Sequence, residues 1–210
     1  MFDLRRYVDR YRLPADLSGQ RALDVGTFEG FWAFELERRG AEEVVALDVD
    51  DVRQLDWPPR LRPRDGARRG EGFELAAAAL GSEVRRVGTS VYDATPELLG
   101  GTFDLVFVGS ILMHLRDPML ALERLAGLCR GRLVVAEEYS RRLAWLPFAA
   151  AEFRGHSPWM TWWRPSPRGL ATMIHTAGFE SVETVGRFRM RFRALRGAVP
   201  HVVIHARGTA

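Results

Sequence analysis

Lysine does not occur among the 210 residues, so all thirty basic side chains are arginine. Arginine codons are GC-rich and lysine codons are not, so the bias reads as a mark of genome composition. The formal net charge of +3 is modest. A pI of about 9.6 overstates it, because guanidinium groups stay charged far above neutral pH. Charge by itself makes no case for nucleic acid. Cysteine occurs once, as Cys129, which excludes an internal disulfide and cannot alone make a metal site. No metal is expected. No uninterrupted apolar run reaches the length of a membrane span, so no membrane partner is expected. The opening residues, MFDLRRYVDRYRLP, lack the apolar core and small-residue cleavage site of a signal peptide. The expectation is a soluble cytoplasmic protein. No internal repeat is present, and no pattern speaks to oligomeric state.

What is present fits one domain over residues 1–210, with a hydrophobic fraction of 47%. The organising stretch is Arg21 to Asp48. Arg21 to Val25 is a short apolar strand, and Gly26-Thr27-Phe28-Glu29-Gly30 is a turn. Phe31 to Arg39 carries apolar residues at helical spacing, with Gly40 as a stop. Glu43 to Asp48 is a second strand closed by an acid. The stretch 48–72 holds three prolines, three glycines and six arginines (53, 60, 62, 64, 68 and 69) and reads as a surface loop. It is either a solvated excursion or a phosphate- or substrate-facing loop. Downstream, the pattern predicts a helix over 73–80, a third strand over 83–87 and a near-continuous apolar strand over 102–108. The last is the mark of a central parallel strand. A helix over 119–129, a strand over 132–136, a helix over 166–176 capped by Ser166 with Pro167 at its first position, and strands near 180–193 and 199–206 complete the chain. Alternating strands and helices specify an α/β, Rossmann-like, doubly wound sheet with helices on both faces.

Ligands in such sheets bind beyond the carboxyl ends of the strands. Gly26 and Gly30 allow a tight turn and close approach of the backbone, and the helix that follows offers free N–H groups. The turn is G-x-x-x-G, however, and Phe28 stands where a dinucleotide site needs a middle glycine, which disfavours NAD or FAD. Asp48, 22 residues beyond Gly26, is placed to accept both ribose hydroxyls. Asp24, inside the first strand, is costly to bury without an ammonium group or ordered water beside it. Tyr92-Asp93, after the third strand, is placed to meet an adenine, although Asp93 alone also suits a helix N-cap. The set points to an adenosine ligand without pyrophosphate, hence S-adenosylmethionine (SAM), with S-adenosylhomocysteine as product. Thr27, Phe28, Val49 and Ser110 complete the cofactor-binding candidates.

The motifs DVGTFEG, ALDVD, SVYD, FDLVFVGSILMHLRDP and RLVVAEE, in this order over residues 20–206, resemble those of class I SAM-dependent methyltransferases. The branch that includes the tRNA wobble-uridine 5-oxyacetate enzymes is the most similar. Its His-x-x-x-Pro loop resembles Leu112 to Pro118, and its aromatic-x-Pro-Ser helix start resembles Trp163-Arg164-Pro165-Ser166. The resemblance implies a seven-stranded sheet of order 3-2-1-4-5-7-6, with the last strand antiparallel. Met113 stands where those relatives carry a tyrosine associated with a carboxylated cofactor, and a thioether cannot replace a phenol's hydrogen bond. Their long N-terminal region has no counterpart in this sequence. Both departures favour ordinary SAM and a substrate other than tRNA.

His114, on the loop after the fourth strand, is a candidate base, or alternatively a loop-structuring residue. Of Glu137 and Glu138, read as following the fifth strand, one is a candidate base and the other a solvated acid, and the pattern does not say which. His156 is a second base candidate. Residues 139–165 hold four of the six tryptophans and are read as a substrate lid, with Tyr139, Trp145, His156, Trp159, Trp162 and Trp163 as substrate-binding candidates. The alternative is a small core of the insertion's own. Arg187, Arg189, Arg191 and Arg193 alternate with Phe188, Met190 and Phe192, which puts four guanidiniums on one strand face. They form either a solvated, edge-protecting face or a grip on phosphates. The preferred reading is transfer of a methyl group from SAM to an O or N atom of an aromatic or amine-bearing small molecule. The alternatives are an RNA-modifying methyltransferase and a non-catalytic SAM-binding partner subunit.

Overall fold

The computed structural model describes residues 2–155, 157, 160–193 and 196–208. Five parallel strands form its centre: β1 (Arg21–Val25), β2 (Glu43–Asp48), β3 (Arg85–Gly88), β4 (Phe103–Gly109) and β5 (Cys129–Glu138). Between and after them run α1 (Phe31–Arg38), α2 (Glu71–Leu80), the single turn α3 (Pro96–Leu99) and α4 (Pro118–Leu128). The insertion after β5 carries β6 (Ala151–Phe153) and β7 (Trp163–Pro165), then α5 (Pro167–Thr176), β8 (Glu180–Arg191) and β9 (Ala198–Arg207) follow. Across the large sheet the strands, numbered along the chain, run β3-β2-β1-β4-β5-β9-β8, which differs from the expected 3-2-1-4-5-7-6. The insertion's two strands take the sixth and seventh places along the chain and form an antiparallel ribbon of their own. Left uncounted, they bring the two orders together. β9 is antiparallel to both of its neighbours.

The strands bury both faces, as their apolar runs require. Leu23, Val25, Val106, Val108, Leu133 and Val135 face a core closed by α4 and α5. Ala22, Ala46, Leu105, Phe107, Val134 and Val203 face the opposite core, closed by α1 and the N-terminal segment. That segment is a 3-10 helix over Leu4–Tyr11. Its rings cover the inner face of β8, with Phe2 stacked on Phe192 and Tyr7 on Phe188. This explains the alternation in β8: Arg187, Arg189 and Arg191 are exposed while Met190 is buried.

One boundary matters for function. Glu137 and Glu138 lie within β5 rather than after it, because β9 extends the ladder through Glu137↔Val202 and Glu138↔His201. Consecutive strand residues point to opposite faces. Glu137 therefore faces the α4–α5 side and Glu138 the side of α1.

Candidate functional site

The tips of β1, β2, β4 and β5 converge on one end of the sheet. At β1 the turn needs left-handed backbone at Gly26, Phe28 and Gly30, with φ of 72°, 52° and 87°. Phe28 bears this with a side chain, at a cost of about 1 kcal/mol. Gly26 suits this backbone, and a Cβ there would also push on the end of Ile111, 2.3 Å from its Cδ1. Asp24 is buried beneath the turn and accepts the Thr27 hydroxyl at 2.7 Å. Burial pushes its carboxyl up to about 7, against the opposing hydrogen bonds of Thr27 and the Ala33 amide in the first turn of α1.

Asp48 ends β2 as a saturated acceptor. Oδ2 takes the Phe28 N–H at 2.9 Å and Oδ1 the Val49 N–H at 2.8 Å. The Arg69 guanidinium reaches back to Oδ2 at 3.1 Å, held there by the bridge of Asp51 to Arg68. Arg69 also lies over the Phe28 ring, 5.6 Å from its centroid. Its Nε is buried without a hydrogen bond, so the inward pose is incompletely satisfied. A diol ligand must displace this arginine to reach the carboxylate. Arg69→Ala is therefore expected to tighten binding of an adenosine ligand about three- to tenfold, the release of an ion pair worth roughly 1 kcal/mol. Calorimetric titration of both proteins with S-adenosylhomocysteine reads it, and weaker binding by the variant would show that Arg69 holds the ligand instead.

A node that sequence reasoning missed joins the next elements. Asp56, in the arginine-rich loop, accepts the Tyr92 hydroxyl at 2.5 Å and the Arg116 N–H at 2.6 Å. The Tyr92 oxygen in turn accepts the Asp117 N–H. The Tyr92 hydroxyl is thus committed to the loop, and burial with the Asp56 carboxylate raises its pKa. Asp93 is exposed beside it. After β4, Ser110 takes left-handed backbone with φ 56° and its hydroxyl meets His201 Nε2 at 3.1 Å. His201 is buried, with Nδ1 on the Val199 carbonyl and its ring stacked on Phe188. A carbonyl only accepts, so Nδ1 carries the proton and Nε2 accepts from Ser110. Burial depresses this imidazole to about 4, keeping it neutral. No local pattern marks His201, since Ser110, its side-chain partner, lies 91 residues away in sequence.

His114 donates through Nδ1 to the Met160 carbonyl at 3.1 Å. This bond ties the loop after β4 to the insertion, and Nε2 is left as the acceptor of a neutral ring whose pKa burial lowers. At β5, Glu137 Oε1 accepts the Leu112 N–H at 2.9 Å while Oε2 is buried without a partner. Burial raises this carboxyl to about 8. Glu138 pairs with Arg164 at 2.8 Å, and burial raises its pKa as well. The Arg187 guanidinium lies over the Tyr139 ring.

The aromatic insertion sits on the turn after β4 through Trp162 N–H to the Met113 carbonyl at 2.8 Å. Its tryptophans divide. Trp162 is buried, donates to the Asp56 carbonyl at 2.6 Å and stacks under Arg116. Trp163 donates to the Arg116 carbonyl and lines a pocket. Trp145 is 90% exposed. His156 and Trp159 lie outside the described residues. Among the described residues no group of three or more His, Cys, Asp or Glu is placed to hold a metal ion, and no helix is long and apolar enough to cross a membrane.

No family model matches the chain. A tRNA U34 carboxymethyltransferase of Idiomarina loihiensis is 26% identical over 178 residues, 81% of this chain and 48% of that protein. The magnesium-protoporphyrin O-methyltransferase of Rhodobacter capsulatus is 35% identical over 102 residues, 46% of this chain and 44% of that protein. The chain thus spans less than half the length of these curated relatives. In fold it is similar to the N-terminal domain of EvdMO1 solved with SAH bound, at a TM-score of 0.63 and 18% identity over 97% of this chain and 79% of that one. The resemblance to SAM-dependent methyltransferases read from the motifs is borne out in sequence and in fold.

Proposed function

We propose that the chain binds SAM at the tips of β1, β2 and β4 and transfers its methyl group to an O or N atom of a small aromatic or amine-bearing molecule. The observation that carries the reading is Asp48, a buried carboxylate at the tip of β2 whose displaceable partner is Arg69. The residues fit the cofactor. Asp48 would accept the ribose hydroxyls and Asp93 the exocyclic amine. Gly26 brings backbone close, and the first turn of α1 supplies N–H groups. When bound, the cofactor supplies an electrophilic methyl on a sulfonium. The chain's task is then alignment, which contributes most to an in-line displacement. A hydroxyl or protonated amine also needs a base. Glu138, on the α1 side of the β5 tip, and His114, through Nε2, are the residues for that role. Glu137, turned to the other face and holding the β4 turn, is not. His201 stays neutral beside Ser110 and adds no cation near a sulfonium.

The test is titration with S-adenosylhomocysteine, followed by assays with methyl-labelled SAM and a panel of phenols and amines. Saturable binding with label transferred to a small molecule supports the reading, and absence of binding overturns it.

A second reading, transfer to RNA, draws on Arg187, Arg189 and Arg191, which are exposed and engaged in no ion pair among the described residues. It requires RNA binding that weakens steeply with salt.

A further inference from the structure

A pocket of about 260 Å³ opens between the turn after β4, the starts of α4 and α5, and the β6–β7 ribbon. Its walls are mostly apolar and include Met113, Met119, Met173, Leu170 and Trp163. Arg116, Asp117 and Glu137 are the charged residues on its wall, and of these Glu137 is the deeply buried one, 1% exposed. Oε1 of that carboxyl is held by the Leu112 N–H and the Ile111 and Met113 amides lie close by, while Oε2 is buried without a hydrogen bond of normal geometry. Buried polar atoms in folded proteins are nearly always partnered, and an orphan at a pocket wall marks where a ligand atom completes the set. None of Gly26, Asp48 or Asp93 lines this space, so it is separate from the adenosine-binding tips.

The walls select the ligand. An apolar cavity of about 150 Å³ already admits benzene, so this pocket accepts a substituted single ring. Thioether sulfurs make favourable contacts with aromatic rings, and three methionines face one space. A hydroxyl both donates and accepts, so it can partner Oε2 whether the carboxyl is charged or neutral. An ammonium group would give up its water shell against walls that are mostly apolar, at a greater cost than a hydroxyl. We propose that this pocket binds a single-ring aromatic molecule bearing one hydroxyl, with the ring against the methionine side chains and the hydroxyl on Glu137 Oε2. The proposal stands whether or not the chain transfers methyl groups.

The test uses p-cresol as probe, with toluene as its hydroxyl-free match, on protein carrying 13C-methyl methionine. p-Cresol is expected to shift methionine methyl resonances saturably, with toluene binding about tenfold more weakly for want of one buried hydrogen bond. Met173→Trp, which fills the pocket, is expected to abolish the shifts while binding of S-adenosylhomocysteine persists. Equal binding of the two probes, or no saturable shift at millimolar p-cresol, would overturn the proposal. That comparison is made on the wild-type chain and does not depend on the variant folding.

Discussion

Asp48→Asn is expected to weaken binding of S-adenosylhomocysteine about a hundredfold, read by calorimetric titration at constant salt. The carboxylate offers its charge to two ribose hydroxyls, and hydrogen bonds to a charged group contribute roughly 1.5–3 kcal/mol each. Against this stands the displacement of Arg69, whose partly buried pair at 3.1 Å contributes roughly 1 kcal/mol. Asparagine keeps one oxygen acceptor and loses the charge, so part of the interaction survives, and about a hundredfold corresponds to roughly 2.7 kcal/mol. The Phe28 and Val49 amides both lie on this side chain, so the turn itself is also loosened. Two comparisons separate the effects. Asp93→Asn, at an exposed position, is expected to cost less than tenfold. Arg69→Ala in the wild-type background tightens binding, yet in the Asp48→Asn background it should change little, because the two act through one ion pair. An Asp48→Asn affinity within threefold of wild type would remove the ribose role from Asp48 and with it the main support for the cofactor reading.

The parts of the site legible in the sequence are those whose cause is local. Asp48 closes a strand because the run Glu43–Asp48 ends in an acid, and a bulky Phe28 in the turn disfavours a dinucleotide. Strand β4 was legible as central because an almost unbroken apolar run suits only a strand covered on both faces. Long-range register was not. Glu137 and Glu138 could be told apart only once β9, some sixty residues on, extended the ladder and set which face each carboxylate takes. Arg69 read as one of six loop arginines, since its inward turn depends on Asp51 pairing with Arg68. Asp56 offered no pattern at all, although Tyr92, Arg116 and Trp162 meet on it. The tryptophans of the insertion were grouped by count, but the fold assigns one to a structural node, one to a pocket wall and one to solvent.

Glu137→Gln is expected to remove much of the loss of stability on going from pH 5 to pH 9. In the folded chain, burial holds this carboxyl at about 8, whereas the ordinary value is 4.5. Between those two values the folded state binds the proton that the unfolded state has released, so stability falls as pH rises. The contribution is fully present below about 4.5 and is lost as pH passes through about 8. At 1.36 kcal/mol per decade the window spans several kcal/mol. For a chain of this size that amounts to a melting temperature on the order of 10 °C lower at alkaline pH. Glutamine reproduces the neutral form: its oxygen can still accept the Leu112 N–H, and its NH2 stands where the protonated Oε2 would. Near pH 5 the two proteins should melt within a few degrees of each other, and at pH 9 the variant should be the more stable. Asp24, raised to about 7, adds a slope of the same sign at lower pH, but it is common to both proteins and cancels in their difference. Parallel melting curves across the whole range would mean that the Glu137 carboxyl ionises as freely in the folded chain as in the unfolded one.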